Sequence, residues 1–376
     1  MRIALVTETF PPEVNGVAMT VQQFADQLRA LGHEVLLARP RQAHEARTAS
    51  TQSEMLSRGL ALPRYPGLRF GLPSGRALRA QWRDARPDAV YVATEGPLGW
   101  SALRTARDLD LPVATGFHTR FDLFVGHYGA GLLRPLALAW MRSFHNRAHA
   151  TLVPTEELRQ WLARIGVRNP VRLARGVDTA LYTPERRDEA LRRQWGLEPD
   201  DLAVIHVGRI APEKNLGLVV QSFQAIRACV PSARMVWVGE GPSLAELRRR
   251  HPDHVFCGLK RGEELARHYA SGDLFIFPSL AETFGNVVVE AMASGLAIVA
   301  YDTGAAREQL DGCEHAHPIA GGDDQAFVAN ALRLAISVER RRRFGAWCRA
   351  RVAPLSQCSV AGRFAELLGG LRGGTA

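Results

Sequence analysis

Short apolar runs alternate along the chain with longer segments whose apolar positions recur every three or four residues. That alternation predicts strands joined by helical crossovers in parallel sheets. In the first half the runs place strands at 3–7, 34–38, 89–93, 113–117 and 151–153. A helix is expected over 17–31, ended by Gly32. The second half repeats the logic, with strands at 203–207, 234–238, 254–257, 274–277 and 297–300. Between the halves, ARGVDTALYTP interrupts the periodicity. The expected division is a first domain over 1–172, a linker over 173–184 and a second domain over 185–353. A last helix within 354–376 is expected to pack back on the first domain, ahead of a disordered end. Two doubly wound domains would face each other across a cleft at the carboxyl ends of their strands, where open α/β folds bind ligands.

The segments with chemical potential all follow a predicted strand. After 203–207 comes Gly208-Arg209-Ile210-Ala211-Pro212-Glu213-Lys214-Asn215. Gly208 permits a sharp turn, so Arg209 and Lys214 can converge on an anion before the next helix. The plain alternative is an exposed turn with surface cations. Gly239-Glu240-Gly241-Pro242 follows the next strand and permits either close ligand approach or merely a tight turn. After 274–277, the run Pro278 to Gly295 carries Glu282 in a loop and Glu290 in an otherwise apolar helix beginning near Gly285. A lone carboxylate there is costly unless hydrogen-bonded, which points to polar hydroxyls such as a ribose diol or to a neighbouring backbone group. In the first half, Gly16 sits at a helix start suited to approach by phosphate or sugar. His118 follows a strand and is either a substrate contact or a structural histidine. Asp178 reads as a turn residue at the join.

Length and composition narrow the class. At 376 residues, 46% hydrophobic and 23% charged, the chain is neither disordered nor a small stapled scaffold. It has no uncharged apolar run of the ~18 residues that a spanning helix needs. The start, MRIALVTETF, enters a strand directly rather than a signal-peptide core. Cys229, Cys257, Cys313, Cys348 and Cys358 show no metal or disulfide spacing and read as reduced cytoplasmic thiols. Of the formal net charge of +9, residues 1–172 carry +8 and the remainder +1. Either the first domain meets an anionic partner, or an arginine-rich composition has produced a solvated basic face.

GRIAPEKN, VGEGP and ETFGNVVVEAMASG together resemble the donor-binding half of retaining GT-B glycosyltransferases. Glu282 and Glu290, seven residues intervening, match that family's E-x7-E signature. ETFPPEVNGVA, FHT and ARGVD resemble its subgroup of α-mannosyltransferases and glycolipid or sulfolipid synthases. The resemblance spans essentially the whole chain. It implies the GT-B fold, with Arg209 and Lys214 holding a donor diphosphate, Glu290 the nucleotide ribose and Glu282 the donor sugar. Backbone amides around Phe284 and Gly285 would meet sugar or phosphate, with Gly208, Gly239 and Gly241 shaping the same donor pocket. Gly16 would approach the diphosphate from the first domain, and His118 would contact sugar or acceptor. It also implies catalysis without metal or cofactor, the nucleotide sugar being a substrate, by front-face attack that retains configuration. Two departures stand out: Asn15-Gly16 replaces a commoner glycine pair, and the loop after Tyr301 lacks paired glycines.

The expected reaction is transfer of a hexose, mannose from GDP-mannose, to a lipid or glycan acceptor at the cytoplasmic membrane face. UDP-sugar-dependent glucosyl or sulfoquinovosyl transfer to lipid is the alternative donor reading, and a nucleotide-sugar epimerase a further one. Nucleic-acid binding lacks any motif. Arg64, Arg69, Arg76, Arg79, Arg83 and Arg86 accompany Leu78 and Trp82, four apart. This is either a basic amphipathic face lying on an anionic membrane or a helix packing its two apolar residues on the sheet. The apolar stretch 132–144 reads as a core helix.

Overall fold

The computed structural model describes the chain apart from residues 14, 43–44, 46–50, 52, 62–68, 119–133, 281, 317 and 372–376. Arg64 therefore lies outside the described residues, as do residues 132–133. The chain forms two compact units, Met1–Gly176 with Gln357–Ala376, and Val177–Ser356. It passes from one to the other at Gly176–Val177: Leu173 is buried in the first core and Val177 in the second.

The first unit holds strands β1 (Arg2–Val6), β2 (Glu34–Pro40), β3 (Glu54–Ser57), β4 (Gly59–Ala61), β5 (Arg69–Gly71), β6 (Ala89–Val92), β7 (Val113–Gly116), β8 (Ala150–Val153) and β9 (Pro170–Arg172). Seven of them make a parallel sheet in the order β3-β2-β1-β6-β7-β8-β9, while β4 and β5 pair as a small antiparallel hairpin. Because side chains alternate across a strand, Ile3 and Leu5 enter one core and Ala4 and Val6 the other. Both faces are covered, which is why these strands read as unbroken apolar runs. The final helix, Gln357–Gly370, closes one face through Phe364, whose ring lies 4.5 Å from Phe24 and 4.9 Å from Tyr91.

The arginine-rich helix Gly75–Asp84 buries Leu78 and Trp82 in the sheet's second core. Of the two readings of that segment, the packing one holds: its apolar pair faces inward and Arg76 and Arg83 face solvent. The helix Arg134–His145 departs from the expectation of a core helix. Met141 and Phe144 are buried, but Leu136 is 69% and Trp140 43% exposed. Its apolar residues are spread over more of the circumference than one buried stripe can hold.

In the second unit, β10 (Ala203–Val207), β11 (Arg234–Val238), β12 (Val255–Phe256), β13 (Leu274–Phe277) and β14 (Ala297–Ala300) form a parallel sheet ordered β12-β11-β10-β13-β14. Winding proceeds outward from β10 in one direction and resumes at β13 on its other side. The switch point thus falls between the carboxyl ends of β10 and β13, where a doubly wound sheet opens a crevice. In the first unit the corresponding point lies between β1 and β6.

Candidate active site

The loops after β10 and β13 flank the second unit's switch point, and they carry Arg209, Lys214 and Glu282. Lys214 Nζ pairs with Glu282 Oε1, both side chains being mostly buried. The same carboxylate oxygen accepts from Ser279 Oγ at 2.8 Å. The ammonium also sits 5.5 Å from the centre of the Phe277 ring, whose electron-rich face favours a cation. Arg209 stands further out, exposed, with Glu213 3.6 Å away. Two cations thus stand in the loop after β10, each with its own carboxylate, and Asn215 in left-handed geometry starts the helix Leu216–Cys229.

The glycines of VGEGP serve a purpose that their sequence did not disclose. A Cβ on Gly239 would stand 1.9 Å from Gly208 O, and one on Gly241 2.3 Å from Ile210 O. Ile210 N donates to Glu240 O at 2.9 Å and Ser243 N to Ile210 O at 3.0 Å. Gly239 and Gly241 thus let the two loops interlock, which fixes the backbone that carries Arg209. Gly208 and Gly239 themselves have positive φ, +149° and +144°.

Glu290 lies one turn into the helix Asn286–Ala293, which begins after Gly285 at φ +92°. Its Oε2 accepts from Tyr269 OH at 2.9 Å, and burial pushes its pKa up to about 7. Tyr182 stands edge-on to Tyr269, 5.7 Å between ring centres. Phe284 is a core residue at 2% exposure, and its carbonyl accepts from Ala305 N at 2.6 Å. Asp178 Oδ1 accepts from Ala180 N and Leu181 N, a turn role.

At the first unit's switch point, Asn15 Oδ1 accepts from Val17 N and Ala18 N, capping the helix Gly16–Ala30. Asn15 Nδ2 donates to Thr9 Oγ1, Thr9 to Glu13, and Gln42 Nε2 to Glu13, so the loop is held by side chains. Gly16 is the first helical residue beside that cap. His118 follows β7 but is engaged on both ring nitrogens. Arg175 Nη2 donates to Nδ1 at 3.0 Å, and Nε2 lies 2.9 Å from Tyr91 OH. Burial, Arg175 and His145 hold its pKa well below the ordinary range, so the ring is neutral. Arg175 also donates to Thr20 Oγ1 at 3.1 Å.

Sequence reasoning passed over Ser279, Tyr269, Tyr91 and Arg175 as site residues. Ser279 and Arg175 lay within quoted motifs, whereas the two tyrosines carried no local signal.

Residues 14–181 match the family Glycosyltransferase Family 4, and residues 201–336 match Glycosyl transferases group 1. A GDP-mannose-dependent alpha-mannosyltransferase of Mycolicibacterium smegmatis is 34% identical over 98% of both chains. The chain belongs to the GT-B glycosyltransferases. A second GDP-mannose-dependent alpha-mannosyltransferase, from Mycobacterium tuberculosis, is 36% identical over 82% of this glycosyltransferase and 81% of its own length. Sucrose-phosphate synthase from Thermosynechococcus elongatus shares the fold, with a TM-score of 0.76 over the whole of both chains at 18% identity. The GT-B expectation drawn from GRIAPEKN and the E-x7-E pair is borne out, and the enzyme is a hexosyltransferase.

Proposed function

We propose that this glycosyltransferase moves mannose from GDP-mannose, with retention, onto a hydroxyl of a lipid acceptor. The observation that carries the reading is the closed Lys214–Glu282–Ser279 cluster beside Arg209, in a chain whose relatives are named for GDP-mannose. A diphosphate carries about two negative charges, and Arg209 and Lys214 supply the matching cations. Donor binding exchanges Lys214's carboxylate partner for phosphate oxygens and frees Glu282 to accept from sugar hydroxyls. The acceptor oxygen then bonds to the anomeric carbon from the face that the leaving group occupies. As the carbon–oxygen bond to phosphate breaks, its electrons go to the diphosphate, which takes the acceptor's proton. Arg209 and Lys214 stabilise the charge that develops there without a metal.

The first unit holds the acceptor in this reading. Leu136 and Trp140, four residues apart, give its helix an exposed apolar face suited to a lipid interface. Among the described residues no helix is long and apolar enough to cross a membrane, so such contact would be peripheral.

Purified protein in EDTA is expected to melt several degrees higher with GDP or GDP-mannose than with UDP, ADP or UDP-glucose. A rise confined to UDP compounds moves the donor to a UDP-sugar; no rise with any of them overturns the reading.

Glu290 gives donor binding a pH signature. In its ionised form the carboxylate can accept from both ribose hydroxyls; protonated, it has lost acceptor capacity. With its pKa pushed up to about 7, the ionised fraction grows as pH rises from 6 to 8. The GDP-mannose Kd should therefore fall by about tenfold across that range. Titration calorimetry should show this in wild type and a flat profile in Glu290→Gln. GDP-mannose suits the measurement because its diphosphate, a diester, does not itself titrate there.

A further inference from the structure

A second polar chain in the first unit has no part in the donor chemistry. Glu95 follows the carboxyl end of β6, beside the switch point between β1 and β6, and is 8% exposed. Its Oε1 lies 3.2 Å from Nε2 of His145, which is fully buried. His145 Nδ1 lies 2.8 Å from Thr115 Oγ1, and that hydroxyl 3.1 Å from Thr151 Oγ1. A carboxylate only accepts, so His145 Nε2 carries the hydrogen and points it at Glu95. The histidine is in turn fixed from behind by Thr115. Thus one oxygen of Glu95 is locked in direction while Oε2 has no partner among the described residues.

A structural reading does not account for this carboxylate. Glu95 precedes the helix Pro97–Asp108, but that helix start is already served by Glu8, which accepts from Leu98 N at 2.8 Å and Gly99 N at 3.2 Å. Nor does Glu95 join an ion pair with lysine or arginine among the described residues. Oε2 can accept one further hydrogen bond, from water or from a ligand hydroxyl that displaces it. Tyr91, on β6 itself, and Arg175, beyond β9, carry further polar groups of the same unit. The second oxygen of Glu95 is thus left without a partner among the described residues, next to the strand ends of the first unit's switch point.

We propose that Glu95 binds a hydroxyl of the acceptor, the class of ligand being a sugar or polyol headgroup, and that His145 is its positioning residue. A carboxylate acceptor selects a hydroxyl donor over an apolar chain or a phosphate. This rests on the transfer reaction proposed above and assigns the acceptor side of it.

The test uses the full chain with GDP present and methyl α-D-mannopyranoside as a soluble probe, its binding followed by saturation-transfer NMR. Wild type gives a signal that Glu95→Ala loses and Glu95→Gln keeps in part. His145→Gln, which retains an N–H donor, keeps more of it than His145→Leu. With the same sugar as acceptor, Glu95→Ala raises acceptor KM at least tenfold more than GDP-mannose KM. Melting curves establish that each variant is folded. Equal probe binding by folded Glu95→Ala and wild type overturns the proposal, as does the lack of any probe signal from wild type. A wild type that binds the probe but responds to no nucleotide sugar instead removes the donor reading.

Discussion

Replacing Lys214 with alanine should lower kcat for sugar transfer by about a thousandfold while the protein melts within a few degrees of wild type. The size of the effect follows from where the charge develops. As the donor's glycosidic bond breaks, negative charge builds on the diphosphate, and Lys214 is the mostly buried cation at the end of β10. Arg209, more exposed, is better hydrated and expected to contribute less. The fold tolerates the change because Lys214 leaves behind a carboxylate that Ser279 still serves. Glu282→Gln tests the other half of the pair. It keeps the shape and the Ser279 contact but removes the charge that orients Lys214, so it too should cut kcat strongly. Lys214→Arg should restore little, since a longer, planar guanidinium does not reproduce the compact point charge that Glu282 Oε1 meets. Wild-type rates in folded Lys214→Ala would remove the cluster from the mechanism.

The legible part of this enzyme was local in sequence. Central strands announced themselves because both sheet faces are covered, so β13 is wholly apolar, β1 is apolar after Arg2 and β10 is broken only by the buried His206. The strands missed, β3, β4, β5 and β9, are three or four residues long and sit at edges or in a hairpin, where no pattern accumulates. The same division runs through the site. Arg209, Lys214, Glu282 and Glu290 were legible as candidates because each stands in a compact motif after a strand. Tyr269 was not, because it meets Glu290 from 21 residues away. The expectation that Glu290 needs a hydroxyl was sound in its physics, and the protein itself supplies one. His118 was found by its place after β7, but its pairing with Arg175, 57 residues on, is a tertiary fact. Gly239 and Gly241 carried a correct signal of close approach, though the approaching backbone is another loop.

Stability in the second unit turns on a charge that no motif marks. Arg192 is completely buried, and Arg192→Met should cost about 3–5 kcal/mol because it breaks a buried pair while leaving its partners unserved. The guanidinium donates to Ser271 O at 2.8 Å, Asp273 Oδ2 at 3.0 Å and Asp201 O at 2.6 Å. Asp273 Oδ2 also accepts from Ala203 N at 2.8 Å, at the first residue of β10. Methionine retains much of the volume, so the loss measured is chiefly that of the hydrogen bonds. Adding Asp273→Asn should return little, since Asp273 Oδ1 still pairs with Arg187 Nη1 at 3.0 Å. Urea unfolding followed by hydrogen exchange in β10 reads both variants. Exchange in β10 at the wild-type rate in Arg192→Met would show that the network is dispensable. The position of Ala203 gives the experiment its functional edge: β10 runs from this network to Gly208, so one strand links the buried arginine to the donor loop. Arg192→Met should therefore weaken GDP-mannose binding as it loosens the unit, whereas Lys214→Ala slows transfer in a unit that stays folded.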